Sequence, residues 1–100
     1  MTKEMKVLKR TEYSGVMIYV MNYGNMFQYL FPYDGEIIQD HMFLKPKSIW
    51  GRIIGLFGSP VYTEEEMDFA IEVMLSGAMR SIETIQWMRS EELKDVPAGR

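Results

Sequence analysis

From Val16 to Leu44 aromatic and branched apolar residues fall into three runs: Val16–Tyr23, Met26–Tyr33 and Glu36–Leu44. Short apolar runs bounded by turn signals suit strands, whose successive side chains point to opposite faces. Ser14-Gly15, Gly24-Asn25 and Asp34-Gly35 precede these runs. Two-residue turns need positive φ, which Gly and Asn reach most readily, so each pair predicts a β-hairpin. Residues 5–13 alternate more weakly and predict a further strand, whose lysines suit a sheet edge. Lys45-Pro46-Lys47 ends the sheet, because proline has no N–H for the ladder.

The period then becomes helical. Ser48 can cap a short helix through Phe57, with Ile49, Trp50, Ile53, Ile54 and Phe57 as apolar positions, although Gly51 and Gly55 are poor helix formers. Gly58-Ser59-Pro60 breaks the chain. Thr63-Glu64-Glu65-Glu66 has the form of a capping box, and its three acids suit the positive end of a helix dipole. The stripe Met67, Ala70, Ile71, Met74, Leu75, Ala78, Ile82, Ile85 and Met88 predicts a long helix to about residues 89–92. Such a helix is longer than the strands, so it is expected to overhang the sheet or to bend near Ser76-Gly77.

These elements predict an α+β domain: an antiparallel three- to four-stranded meander followed by a short helix and a long C-terminal helix packed on one sheet face. Residues 1–93 form the domain in this reading, and 94–100 a flexible tail.

Two-residue turns fix the register. Val16, Ile18 and Val20 fall opposite Tyr33, Phe31 and Tyr29. Phe31, Tyr29 and Phe27 fall opposite Ile38, Asp40 and Met42. With Val7, Lys9, Thr11 and Tyr13 from the first strand, this face is the expected core, covered by the long helix. The other face carries Lys6, Leu8 and Arg10, then Met17, Tyr19, Met21 and Tyr23, then Met26, Gln28 and Leu30, and finally Ile37, Gln39, His41 and Phe43. Pro32 would stand at a hydrogen-bonding position facing Met17, so an irregularity is expected at residues 31–33.

Composition narrows the chemistry. One hundred residues suit one domain, and 47% hydrophobic content argues for a packed chain. There is no cysteine, which excludes disulfides, thiolate metal sites and cysteine nucleophiles. A single histidine excludes a multi-histidine metal site. The N-terminal residues lack a signal-peptide pattern and no apolar run reaches a membrane span, so a cytoplasmic location is expected. The formal charge of −3 is uneven. Residues 1–60 hold seven Lys/Arg against five Asp/Glu, and residues 61–100 hold four against nine.

No catalytic motif stands out. Asp40-His41 is the one acid–histidine pair, but strand neighbours point to opposite faces and cannot form a dyad there. His41 is expected beside Gln28 and Met21, and Asp40 exposed or bonded to a tyrosine. The capping box accounts for the Glu64–Glu66 run without a metal. No glycine-rich phosphate loop or nucleophile elbow is present. No enzyme activity, metal or cofactor is therefore expected.

The second sheet face is the candidate binding surface: Lys6, Arg10, Met17, Tyr19, Met21, Tyr23, Gln28, Gln39, His41 and Phe43. Tyr, Met and Arg are enriched at protein interfaces, and Met adapts its shape to a partner. Burial under the short helix is the main alternative for this face. Phe69, Val73 and Trp87 lie opposite the long helix's apolar stripe and are candidate contacts of a two-fold homodimer. The expected function is thus non-enzymatic protein binding or regulation by a homodimer. Single-stranded nucleic-acid binding on the Tyr/Gln/Lys face is a second reading, and a small-molecule or enzyme pocket between sheet and helices a third. Residues 45–57 combine basic residues, Trp and apolar residues, which fits an interfacial membrane helix or a short amphipathic helix docked on the sheet. Docking is expected, and a membrane partner is not.

Overall fold

Alternating side chains become a four-stranded antiparallel sheet in the computed structural model, which describes residues 5–57 and 60–95. Strands β1 (Lys6–Tyr13), β2 (Val16–Tyr23), β3 (Met26–Tyr33) and β4 (Glu36–Phe43) lie in the order β1-β2-β3-β4. Helices α1 (Ile49–Phe57) and α2 (Glu64–Asp95) follow, and α2 packs on one sheet face. The α+β meander read from the sequence is the observed architecture.

The hairpin turns follow their residue chemistry. Ser14-Gly15 and Asp34-Gly35 have positive φ at both positions, the sign pattern of a type I′ turn. Gly24 has φ 60° while Asn25 does not have positive φ, the pattern of a type II′ turn. Asn22 Nδ2 donates to the carbonyls of Gly24 and Met26 at 3.0 and 3.1 Å, which holds that turn closed.

The observed register matches the expected one across β3 and β4, with Phe27↔Met42, Tyr29↔Asp40 and Phe31↔Ile38. The β2–β3 ladder runs only from Tyr23↔Met26 to Tyr19↔Leu30. It stops short of Pro32, where an irregularity was expected, while Pro32 still pairs with Ile37 of β4. A second irregularity was not anticipated. The β1–β2 register shifts between Val7 and Lys9, leaving Leu8 as an extra residue. The shift places Lys6 opposite Asn22, Val7 opposite Met21 and Lys9 opposite Val20. Leu8 packs against the core and Val7 is exposed, the reverse of their expected sides.

The core forms between the β2–β3 centre and one stripe of α2. Val16, Ile18, Val20, Phe27, Tyr29 and Phe31 are buried against Ala70, Met74, Ala78 and Ile82. Phe27, Phe31, Ile18, Val20 and Ile82 are fully buried, and full burial of such a side chain stabilises by roughly 1.5–3 kcal/mol. Ala70 and Ala78 keep the helix backbone close to the sheet. Met88 belongs to the same periodic stripe but is half exposed, because the stripe outruns the sheet.

The start of α2 and its turns as far as Arg89 are fixed. The capping box forms: Glu66 N–H donates to Thr63 Oγ1 at 3.1 Å, and Thr63 N–H donates to Glu66 Oε1 at 2.9 Å. Glu66 Oε2 also accepts from Lys47 N–H at 2.9 Å, tying the linker after β4 to the helix start. Toward the other end, Tyr13 donates to Glu83, Gln86 Nε2 donates to Ser14 Oγ at 3.1 Å, and Arg89 pairs with Asp34. The Arg89 guanidinium also stands 5.4 Å from the Tyr33 ring centroid. The helix is continuous through Ser76-Gly77 and reaches Asp95, beyond the expected end. Its 32 residues span roughly 48 Å, against about 27 Å for an eight-residue strand. The overhang, not the bend, is what forms. The tail from residue 96 lies outside the described residues.

Helix α1 departs from expectation. Among the described residues it lies on neither sheet face, and Ile49, Trp50, Ile53, Ile54 and Leu56 are exposed. The linker is held elsewhere: Tyr62 donates to the Leu44 carbonyl, Leu44 N–H donates to Asn25 O at 2.9 Å, and Lys47 N–H is bound by Glu66. These contacts keep α1 beyond the end of the sheet. No helix among the described residues is long and apolar enough to cross a membrane.

Candidate functional site

The face turned away from α2 is built from rows of paired residues. Arg10, Tyr19, Leu30 and Gln39 form one row across all four strands. Val7, Met21, Gln28 and His41 form the next, and Tyr23, Met26 and Phe43 a third. Met17 pairs with Glu12 toward the opposite end, where Pro32 pairs with Ile37. Nine of the ten candidate binding residues are therefore on one face. Lys6 is the exception, because the shift at Leu8 aligns it with Asn22 on the α2 side. Val7 takes its place, with no glycine or proline at residues 6–10 to signal the change.

This face is uncovered. Phe43 is 64% exposed, and Met17, Tyr23 and Ile37 are also exposed, while Tyr19, Met21, Met26, Gln28 and Leu30 are half-buried by their neighbours. Two contacts order its centre. Gln28 Nε2 donates to Gln39 Oε1 at 2.7 Å, and the His41 and Phe43 rings meet edge to face at 5.4 Å. His41 lies between the Gln28 pairing and Phe43, and its backbone N–H donates to Asp40 Oδ1 at 2.8 Å. That contact uses the main chain, so the two side chains form no proton-transfer pair. Asp40 is exposed, as expected. The formal charges on this face are Arg10 and Glu12, which offset each other.

A second apolar surface lies on the other side of the sheet. α2 sits over β3, β2 and β1, and on β4 Ile38 and Met42 pack at the margin of the core while Asp40 between them stays exposed. The result is a groove of about 740 Å³ between β4 and α2, with Tyr29, Asp40, Phe69, Val73, Gly77 and Arg80 in its walls. Phe69 is 56% exposed and Val73 is at its rim. Trp87 is 63% exposed on the same side of α2, four to five turns further along. The candidate dimer residues thus form one outward stripe, two of them in the groove.

Electrostatics at the helix start reflects packing. Backbone hydrogen bonds from Thr63 and then Lys47 hold the Glu66 carboxyl below its usual range. Burial raises the Tyr62 hydroxyl, and nearby Glu66 adds to the effect. Tyr13 is raised first by its hydrogen bond to Glu83. Each shifted group belongs to a contact that fixes α2. Among the described residues no three His, Asp or Glu side chains gather in a way that could hold a metal ion. The chain matches no protein-family model, no curated protein and no solved structure.

Proposed function

We propose that this chain is a non-enzymatic protein-binding or regulatory domain that acts as a homodimer in the cytoplasm. The observation that carries the reading is a sheet with an uncovered apolar surface on each side. On one side, the groove between β4 and α2 exposes Phe69 and Val73. On the other, Met17, Tyr23, Ile37 and Phe43 are exposed. Contiguous apolar surface of this kind marks interaction sites on folded proteins. The groove and the outward stripe of α2 take the second copy. The Met/Tyr/Gln face takes a protein partner through adaptable methionines and amphipathic rings.

Charge favours a protein over a nucleic acid on that face. Phosphate binding needs clustered Lys and Arg, yet Lys6 and Lys9 are aligned with the α2 side and Arg10 shares its face with Glu12. The exposed Tyr23 and Phe43 rings are what sustain the nucleic-acid alternative. Light scattering of the full chain at micromolar concentration tests the dimer. A monomer mass would refute it. Salt-sensitive binding of a single-stranded oligonucleotide, lost in Arg10→Ala, would replace the protein-partner reading.

A further inference from the structure

Helix α1 is turned inside out relative to an ordinary docked helix. At 100° per residue, Leu56, Ile49, Ile53, Trp50 and Ile54 occupy an arc of roughly 160°, and Gly51, Gly55 and Arg52 occupy the rest. An amphipathic helix on a globular domain normally presses its apolar arc inward. Here the opposite arc contacts the chain. A Cβ on Gly55 would stand 3.3 Å from both Pro60 Cα and Pro60 Cβ, so the glycine permits that approach. Arg52 Nε donates to the Pro46 carbonyl at 2.7 Å. The apolar arc points away, with Trp50 73% exposed and Leu56 82% exposed.

Along the chain the charges of this segment are of one sign, although Glu65 and Glu66 of α2 share a pocket with Lys47 and Ser48. Residues 41–63 contain Lys45, Lys47 and Arg52 and no Asp or Glu. Lys45, Lys47 and Arg52 are all exposed. Acids return at Glu64, in the first turn of α2, where Glu66 is engaged by Thr63 and Lys47 backbone N–H groups. Among its described residues, the chain's other basic stretch, Lys3–Arg10, lacks an exposed apolar arc like that of α1, so charge and apolar surface coincide at α1.

We propose that α1 is a membrane-surface anchor that lies in the interface of a bilayer containing anionic lipid. Ile49, Trp50, Ile53, Ile54 and Leu56 enter the boundary of the acyl chains. Trp50 suits the headgroup level, and Lys45 and Lys47 meet lipid phosphates. The helix is too short to span a bilayer, and it needs only one side to be apolar. Its linkage to Pro46, Pro60 and the capped start of α2 gives it a fixed seat, so the sheet is held at a defined end against the surface. This anchor is independent of the dimer groove and of the Met/Tyr/Gln face.

The test is flotation of the full chain with vesicles of phosphatidylcholine alone, or of phosphatidylcholine with about a third phosphatidylglycerol. The expected result is binding to the anionic vesicles at low salt and release as salt rises. Lys45→Glu/Lys47→Glu and Ile49→Ser/Trp50→Ser should each weaken it by at least about tenfold. Circular dichroism should be unchanged in both, because the substituted side chains are exposed. Absence of binding at low salt overturns the proposal, as does equal binding to neutral vesicles or binding that survives both variants. So does an Ile49→Ser/Trp50→Ser variant that loses only self-association, since α1 would then be covered by a second copy.

Discussion

A Cβ placed on Gly77 would stand 3.3 Å from Cε2 of Tyr29, closer than side chains usually approach a ring. Gly77 therefore sets how near the middle of α2 comes to β3. The residue is a poor helix former by about 1 kcal/mol relative to alanine, and the close approach is what it permits. Gly77→Val is expected to destabilise by about 1–3 kcal/mol in urea unfolding, from overpacking against the ring. Combining it with Tyr29→Ala should relieve part of that cost, so the two effects should not add. Additive losses would mean that the ring and the glycine are not coupled.

The sequence leaves an overhang of α2 and a bend at Ser76-Gly77 as alternatives, and the helix runs through unbroken and overhangs. Local chemistry identified the features whose partners are close in the chain. The three turns, the Thr63–Glu66 box and the α2 stripe each carry their own pattern within a few residues. The irregular positions depend on distant partners. Leu8 bulges so that it reaches the core, and the weak alternation around it, with Val7-Leu8 and Lys9-Arg10 adjacent, does not say which residue is the extra one. α1 has a clear apolar arc, yet which arc meets the chain is decided by Pro46, Pro60 and the Glu66 contact with Lys47. Gly55 reads as a weak point of a helix, yet its lack of a side chain is what lets Pro60 come close. The composition of the face turned away from α2 was legible because hairpin register carried it, apart from the exchange of Lys6 for Val7.

Thr63→Ala should cost about 1 kcal/mol of stability, the usual worth of a helix cap. The acid response should also depend on Glu66. Its folded pKa is lowered, so its contribution is present above the ordinary glutamate range. It is lost as pH falls through the lowered folded value. Urea midpoints across the acid range should fall less steeply in Glu66→Gln than in the wild type. Parallel curves would show that the box carries no proton linkage.

Gly35 has φ +79° and no atom within 4 Å of a Cβ position. Replacement by alanine therefore incurs backbone strain without a steric clash. Gly35→Ala should destabilise by about 1–2 kcal/mol, while Gly35→Asn, which tolerates this conformation better, should lose less. Equal losses in chemical denaturation would point to a cause other than the turn geometry.

Arg89 binds Asp34 and lies over the Tyr33 ring, joining α2 to the β3–β4 turn. Both charged groups are about half exposed, so the pair should be worth no more than about 1 kcal/mol. Arg89→Ala should lower the thermal midpoint by a few degrees at low salt and by less at high salt. A salt-independent loss would assign the effect to the ring contact alone.

In the proposed dimer, a second copy fills the groove between β4 and α2. Light scattering across a micromolar concentration series tests it most directly, comparing the wild type with Phe69→Glu/Val73→Glu. The wild type should have twice the 11.7 kDa chain mass, and the variant should have the monomer mass with an unchanged circular dichroism spectrum. A wild type that stays at the monomer mass throughout, or a variant that remains dimeric, would contradict it.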